Sequence, residues 1–174
     1  MTEIKNDFLV LGDIQAPIKI EVFLNYACPY CATFYELVDN VLPTYIETKK
    51  VALIVKHYDK PREMLLPGTF INANLDYGDA ARTLEIISEL FKNQGTWDKF
   101  SSHELKSYLE DTYGLKEEPT NIERGLQIIQ EAIDRKVTMV PTVFINDLEF
   151  QYPREIFEDE LVEVIEKQLE KVGV

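Results

Sequence analysis

The chain has 174 residues, of which 45% are hydrophobic and 28% are charged. This length and balance indicate a globular protein with one domain, or with a small domain that carries a large insertion. The net charge of −13 at pH 7 disfavours a nucleic-acid partner, because binding to the phosphate backbone requires a basic face. No apolar run approaches the length of a membrane span, so no membrane contact is expected either.

The first twelve residues contain no basic segment followed by an apolar stretch, which a secretory signal would require. The sequence therefore favours a cytoplasmic location. It leaves open an exported protein from which a signal was removed, and the two cysteines do not decide between these compartments.

The first third of the chain predicts a strand–helix–strand unit. Residues 8–11 are a short apolar run, and residues 18–24 alternate and then become fully apolar, as in a strand that is buried on both faces. Apolar residues then recur at helical spacing over residues 34–46, with an expected kink or early end at Pro43. Residues 51–55 are a second buried strand, so the unit predicts parallel strands joined by a right-handed crossover.

Residues 63–136 have the pattern of a helical block without strands. Ser101 and Glu104 fit a capping box at a helix start, and Gly95 and Gly114 fit helix ends. Three apolar stripes at helical spacing are expected to face the core. They are formed by Ala80, Leu84, Ile87 and Phe91, by Leu105, Tyr108 and Leu109, and by Ile122, Leu126, Ile129 and Ile133.

The C-terminal part predicts a hairpin followed by a helix. Residues 141–145 indicate a strand, residues 146–147 a turn and residues 148–151 the returning strand. The last helix is expected to start near Pro153 and to bury one apolar stripe. The members of that stripe are Phe157, Leu161, Ile165 and Leu169. The resulting order of β, βαβ, helical block and ββα indicates an α/β fold.

The chain contains only two cysteines, and they lie in the sequence Cys28-Pro29-Tyr30-Cys31, where a predicted strand passes into a predicted helix. Thiolates rather than thiols attack disulfides. At the start of a helix, unpaired amide groups and the helix dipole stabilise a negative sulfur. We therefore expect Cys28 to be a nucleophile with a lowered pKa, and Cys31, one turn later, to be the thiol that resolves the mixed disulfide.

A zinc site and a pair of inert buried cysteines are the alternative interpretations of this motif. Four-coordinate zinc would need two further ligands, and only His57 and His103 could offer imidazole. Neither histidine belongs to a recognisable ligand pair, and both are expected to be surface or packing residues. The strand-to-helix position of the cysteines favours redox exchange, so neither a metal nor another cofactor is expected.

Four segments of the chain resemble the DsbA-like branch of the thioredoxin superfamily. They are Ala16-Pro17-Ile18-Lys19-Ile20, the motif from Cys28 to Cys31, Gln94-Gly95-Thr96-Trp97 and the segment from Val140 to Asn146. The resemblance implies a thioredoxin fold, made of residues 1–62 and 137–174, that is interrupted by an all-helical domain at residues 63–136. It also implies protein substrates with thiols or disulfides, and an unidentified redox partner that recycles the protein.

The resemblance further implies a cis peptide bond before Pro141, packed against the cysteine pair. X–Pro bonds adopt the cis form at low cost, and a proline at a strand start usually has a positional role. The backbone of Val140 is therefore expected to hydrogen-bond a substrate segment beside the nucleophile. Tyr26 is a further candidate for substrate contact, although aromatic residues so close to a core are more often buried. Pro29 and Tyr30 are expected to modulate the active site.

Two positions depart from the pattern of the resembled family. Many relatives carry a buried acid six residues before the first cysteine, but Val22 stands there, and Glu21 points to the opposite face of the strand. Glu21 is expected to be an exposed carboxylate, and Lys56 or a water molecule is a candidate replacement for the acid. Tyr30 stands where the best-known oxidases have a histidine, and without that positive charge a milder reduction potential is expected.

Two other functions are compatible with the motif. One is glutaredoxin-like chemistry on glutathione, since Cys-Pro-Tyr-Cys also occurs in that family, but the residues after Pro141 lack the Gly-Gly-x-x-Asp that binds the tripeptide there. The other is a non-catalytic, partner-binding thioredoxin-like domain. The leading interpretation is an enzyme that exchanges dithiol and disulfide with proteins, and a turnover assay distinguishes it from the binding domain.

Overall fold

The computed structural model describes residues 8–151 and 155–174. Within these ranges the chain forms a five-stranded sheet and seven α-helices, and none of these helices is long and apolar enough to span a membrane. The strands are β1 (Leu9–Leu11), β2 (Ile18–Leu24), β3 (Val51–His57), β4 (Thr142–Ile145) and β5 (Leu148–Gln151). The helices are α1 (Pro29–Glu47), α2 (Leu66–Ala73), α3 (Ala80–Lys92), α4 (Gln94–Trp97), α5 (Ser102–Tyr113), α6 (Thr120–Asp134) and α7 (Glu158–Lys171), with a short 3-10 helix at Glu63–Leu65.

The sheet has the order β1-β3-β2-β4-β5, with β2 at its centre. β2 and β3 run parallel, and all other neighbouring strands are antiparallel. Because β2 and β3 are parallel, both end at the same edge of the sheet, where α1 begins after residues 25–28. The loop that follows β3 therefore emerges beside the start of α1. Ligands of parallel sheets bind at this kind of edge.

β2 is buried on both faces, which explains why its residues change from alternating to continuously apolar. Val22 packs with Val55 and Cys31 in the larger core, to which α1, α3 and α7 contribute. Phe23 points to the other face and packs with Ile128 of α6 in a smaller core. The sheet thus separates two layers of helices, and the cysteine pair belongs to the larger core.

The strand predictions are confirmed, and the fold is the expected thioredoxin fold with a helical insertion between β3 and β4. β3 extends two residues beyond the prediction, to His57. The start of α5 is capped as expected, because the Ser101 hydroxyl accepts a hydrogen bond from the Glu104 amide at 3.2 Å. Gly114 ends α5 with a φ of 68°, a left-handed conformation that glycine adopts without steric cost.

α1 continues through Pro43 to Glu47, so the helix does not end early at the proline. A proline inside a helix removes one backbone hydrogen bond and crowds the preceding turn. The two residues directly before it, Val41 and Leu42, are buried in the core. Their packing compensates for the missing bond and lets the helix continue for another turn.

The apolar stripe predicted for α6 is wrong at three of its four positions, because Ile122, Leu126 and Ile133 are 60–61% exposed. The fourth, Ile129, is partly buried against the smaller core. The buried face lies about one residue away around the helix. It consists of Asn121, Gly125, Ile128 and Ala132. The side-chain amide of Asn121 donates to two backbone carbonyls in and after α2, at 2.9 and 2.8 Å. Gly125 lies against a carboxylate of the loop after β3. A buried amide and a close approach at glycine are contacts that hydrophobic periodicity does not detect.

Two other predicted helix ends differ from the structure. α3 ends at Lys92 and is capped by Asn93, whose side-chain amide donates to a carbonyl of that helix at 2.9 Å, and Gly95 lies inside α4. The last helix begins at Glu158, and Phe157 precedes it with 65% exposure instead of being buried. Pro153 lies outside the described residues. The rest of the predicted stripe is buried, namely Leu161, Ile165 and Leu169.

The helical insertion contacts the segment before α1 through a glycine. Gly68, in the first turn of α2, lies so close that a Cβ atom there would overlap the Asn25 side chain and come within 2.8 Å of the Ala27 amide nitrogen. Asn25 is fully buried, and its carboxamide oxygen accepts a hydrogen bond from the Ala27 amide at 2.9 Å. α2 is therefore seated directly on the segment that leads to Cys28.

We expect Gly68→Ala to lower the free energy of unfolding by about 1–3 kcal/mol, because the added methyl group overpacks this contact. Gly95→Ala is the matched control, since no atom lies within 4 Å of the position that its Cβ would occupy and alanine is the better helix former. Chemical denaturation of both variants measures the effect. Equal stability of the two variants would contradict the proposed close contact.

Candidate active site

Cys28 lies at the junction between β2 and α1, directly before the first helical turn. Its backbone is extended, with φ −81° and ψ 122°, and Pro29 occupies the first helical position. The missing N–H of a proline costs no hydrogen bond there. The Cys28 amide donates to the Asn25 carbonyl at 3.1 Å, and the Cys28 carbonyl accepts from the Ala32 amide at 3.1 Å. These two bonds fix the backbone of Cys28 from both sides.

The two sulfur atoms lie in different environments. Cys28 is 6% exposed and lines a surface groove, whereas Cys31 is fully buried. A hydrogen bond from the Cys31 thiol lowers the pKa of Cys28 to about 7; burial opposes this effect, and the backbone amides of Cys31 and Tyr30 add to it. Burial raises the pKa of Cys31 well above its usual value, and the neighbouring Cys28 sulfur raises it further. Near neutral pH, Cys28 is therefore about half thiolate, while Cys31 stays a thiol.

Val22 occupies the position of the acid that many members of the resembled family carry, and it is buried in the same core as Cys31. The Cys31 sulfur accepts a hydrogen bond from the Asn25 amide at 3.5 Å. Across residues 8–151 and 155–174, no group of three or more His, Cys, Asp or Glu side chains could hold a metal ion. The described polar groups around the two sulfurs are mainly backbone groups, namely the amides of Asn25, Tyr30 and Cys31 and the carbonyl of Val140.

Glu21 and Lys56 lie on the opposite face of the sheet, next to Phe23. The Lys56 ammonium binds Glu21 at 2.8 Å and Glu131 at 2.5 Å, and Arg135 binds the same two carboxylates at 2.8 and 3.0 Å. The Glu21 side chain is only 23% exposed, so the expectation of an exposed carboxylate is wrong. The expectation that Lys56 could replace the missing acid is also wrong, because the sheet separates its amino group from the cysteine pair.

The segment before β4 brings Val140 and Pro141 to the cysteine pair. The peptide bond between them is cis, as the resemblance implies. The Cys28 thiol lies 3.7 Å from the Val140 carbonyl oxygen, which is within hydrogen-bonding range for sulfur. Tyr30 is 42% exposed beside them. Six of the predicted site residues therefore lie in or beside the first turn of α1, namely Cys28, Pro29, Tyr30, Cys31, Val140 and Pro141.

Tyr26 does not reach the surface, so its expected contact with substrate is wrong. Its side chain is fully buried and packs against His57, with ring centroids 4.3 Å apart. The Tyr26 amide donates to Nε2 of His57 at 3.3 Å, and Nδ1 of His57 lies 2.7 Å from the Asp59 carboxylate. His57 is thus a packing residue, and the Tyr26 and His57 rings belong to the buried packing of the segment that leads to Cys28.

Gln94 contacts the active-site segment in a way that no local sequence pattern indicates. Its side-chain amide donates to the carbonyl of Tyr26 at 2.8 Å and to the carbonyl of Cys28 at 3.1 Å. Gln94 is the first residue of α4, so the helical insertion holds the backbone that carries the nucleophile. The sequence singled out this residue only as part of a segment that resembles the family.

A groove of about 270 Å³ lies beside Cys28 and is lined by apolar and basic side chains. The residues that the sequence analysis missed are Lys60, Arg62, Met64, Leu65 and Met139. The parallel pairing of β2 and β3 is the signal that could have found four of them. The loop after β3 must emerge at the edge where α1 begins, and these four residues belong to that loop and the short helix that follows it.

A family model described as thioredoxin matches residues 5–167. The chain belongs to the thioredoxin family. A search of the curated proteins found no match. Among solved structures, a conserved protein of unknown function from Enterococcus faecalis V583 is similar to this chain, with 30% identity and a TM-score of 0.83, over 91% of this chain and 89% of that one.

Two further solved structures are similar in fold. Oxidised BdbD from Bacillus subtilis shares 18% identity with a TM-score of 0.69, over 94% of each chain. Alpha-DsbA1 from Wolbachia pipientis shares 18% identity with a TM-score of 0.75, over 97% of this chain and 94% of that one. The resemblance to the DsbA-like branch that the motifs indicated is thereby confirmed at the level of the fold.

We expect Cys28 to be alkylated by iodoacetamide with an apparent pKa of about 7, and Cys31 to react far more slowly. Only the thiolate reacts, so the Cys28 rate should fall about tenfold per pH unit below that pKa and level off above it. Timed reactions at a series of pH values, followed by peptide mass mapping, measure the two rates separately. Predominant label on Cys31 would contradict the assignment, as would a midpoint for Cys28 near 9.0, the ordinary value.

We expect Gln94→Met to lower the free energy of unfolding by about 1 kcal/mol or somewhat more, because two carbonyls lose their donor while the side-chain volume is kept. Gln127→Met, at an exposed position of α6, is the matched control. Urea denaturation of the reduced proteins provides the comparison. If both variants unfold at the same urea concentration, the Gln94 bonds do not hold the active-site segment.

Proposed function

We propose that this protein is a thiol–disulfide oxidoreductase that exchanges dithiol and disulfide with protein substrates through Cys28 and Cys31. The observation that carries the proposal is the pair of unlike sulfurs. Cys28 has a pKa of about 7 beside a surface groove, and the buried Cys31 thiol donates a hydrogen bond to it. An attacking thiol whose pKa lies near the ambient pH combines a large thiolate fraction with high nucleophilicity.

In the reducing direction, the Cys28 thiolate attacks one sulfur of a substrate disulfide. A bond forms between Cys28 and that sulfur, while the substrate S–S bond breaks and its electron pair leaves on the second substrate sulfur. Cys31 then attacks Cys28, and the first substrate sulfur departs as a thiolate that takes up the Cys31 proton. The second substrate sulfur takes a proton from water, so that the substrate ends as a dithiol and the protein as the Cys28–Cys31 disulfide; the oxidising direction reverses these steps.

The residues around Cys28 support both steps. The amides of Tyr30 and Cys31 donate to its sulfur, and Pro29 begins α1 without a donor that would be left unpaired. A substrate segment would lie in the groove between the first turn of α1 and Val140, whose carbonyl is 3.7 Å from the Cys28 sulfur. A second redox partner must restore the starting state, because each turnover leaves the cysteine pair oxidised or reduced.

The two cysteines should differ in what their removal does. With dithiothreitol as the reductant, the wild-type protein should accelerate the reduction of insulin disulfides, and Cys28→Ser should be inactive. Cys31→Ser should retain the first step and accumulate mixed disulfides with substrate thiols, because nothing resolves them. Mass spectrometry of the adducts before and after reduction measures this trapping.

Two results would contradict the proposed function. If Cys31→Ser traps no more substrate than Cys28→Ser does, the two-step exchange is wrong. If the wild-type protein binds thiol proteins but does not accelerate their exchange, it is a partner-binding domain rather than an enzyme.

A further inference from the structure

The groove beside Cys28 carries two positive charges in a protein whose net charge is −13. Lys60 and Arg62 line this groove together with Met64 and Met139, and no acidic side chain is among its described lining residues. The Lys60 ammonium donates to the backbone carbonyl of Thr138, which is an uncharged partner. Within the described ranges, neither Lys60 nor Arg62 has a carboxylate within ion-pair distance.

This lack of carboxylates contrasts with the other side of the sheet. There Lys56 and Arg135 are both paired with Glu21 and Glu131. In the groove, burial and the adjacent charge of Arg62 lower the pKa of Lys60. A further positive charge is therefore unfavourable at this place, and an anion is favourable.

The two methionine side chains of the groove are exposed to solvent. Met64 of the short 3-10 helix is 66% exposed and Met139, in the segment before β4, is 40% exposed, and both line the groove with Cys28. Methionine side chains are flexible and polarisable, so they adapt to apolar partners of different shape. A groove with two thioethers and two cations that lack a carboxylate partner fits an extended peptide that presents an apolar side chain and a carboxylate.

We propose that Lys60 and Arg62 select protein segments with an acidic residue next to the reacting cysteine, and that Met64 and Met139 contact an apolar residue of the same segment. This inference rests on the proposed function, because it names the substrates of the same site. Over most of its surface, a protein with this net charge repels acidic segments. The two groove cations reverse that repulsion beside the nucleophile and orient the segment as it arrives.

The test uses short blocked peptides with one cysteine, activated as mixed disulfides with 2-thiopyridine, a neutral leaving group. The residue on one side of the cysteine is Glu, Gln or Lys, and the residue on the other side is Leu or Ser. When the Cys28 thiolate attacks the peptide sulfur, the S–S bond breaks and its electron pair leaves with pyridine-2-thione, whose release is followed optically. Cys31 then displaces the peptide thiol, so the protein loses the two electrons that the mixed disulfide gains.

At low ionic strength, we expect the Glu peptide to react about threefold faster than the Gln peptide, and the Lys peptide to react about threefold slower. High salt should abolish this order. Arg62→Gln should reduce the Glu-to-Lys rate ratio and Arg62→Glu should reverse it. Lys106→Gln is the matched control, since Lys106 is exposed on α5 and does not line the groove. Replacing Leu by Ser should slow the reaction of every peptide.

Each contrary result has a distinct meaning. Cys28-dependent release at equal rates from the Glu and Lys peptides would overturn selection by charge and leave the proposed function intact. A charge order that persists in Arg62→Glu would also overturn the role of the groove. A third result would be equal rates for the Leu and Ser peptides, while glutathione, activated in the same way, reacts as fast as the Glu peptide. That result would indicate a small anionic thiol as the substrate and would overturn the peptide proposal. Release from no probe would contradict the proposed function itself.

Discussion

The chemistry of this site depends on how negative charge on the Cys28 sulfur is stabilised where β2 passes into α1. The buried Cys31 thiol and two backbone amides of the first helical turn donate toward that sulfur. Hydrogen bonds to an ionised group are stronger than bonds between neutral groups. Because these donors belong to one rigid turn, the thiolate is stabilised although Tyr30 brings no positive charge.

The parts of the fold that hold this turn differ from the parts that admit a partner. The helical insertion supports the turn from behind, through the Gln94 side chain and the close approach of Gly68. The front is formed by the loop after β3 and the segment before β4, which line the groove. α2 and α4 can therefore fix the backbone of the nucleophile while other residues line the groove beside its sulfur.

Local patterns in the sequence predict the sheet, the insertion and the position of Cys28, because strand alternation and helix starts leave strong periodic signals. The wrong predictions concern tertiary contacts. The buried face of α6 is set by the hydrogen bonds of Asn121 and by the absence of a side chain at Gly125, so Ile122, Leu126 and Ile133 are left in solvent. The groove cations Lys60 and Arg62 were missed because isolated charges in a loop have no periodicity. Only the parallel pairing of β2 and β3 places them beside the nucleophile.

A moderately stabilised thiolate should set a moderate reduction potential, because whatever stabilises the thiolate stabilises the reduced protein. Thioredoxin, whose nucleophile has a pKa of about 7, has a potential of about −270 mV, whereas DsbA, with a pKa of about 3.5, has about −120 mV. The most direct test is the reduction potential of the Cys28–Cys31 pair, measured by equilibration with dithiol buffers of known potential at pH 7. With a Cys28 pKa of about 7, we expect a value much closer to that of thioredoxin. A value near that of DsbA would contradict the central claim, because it requires a thiolate far more stable than these hydrogen bonds provide.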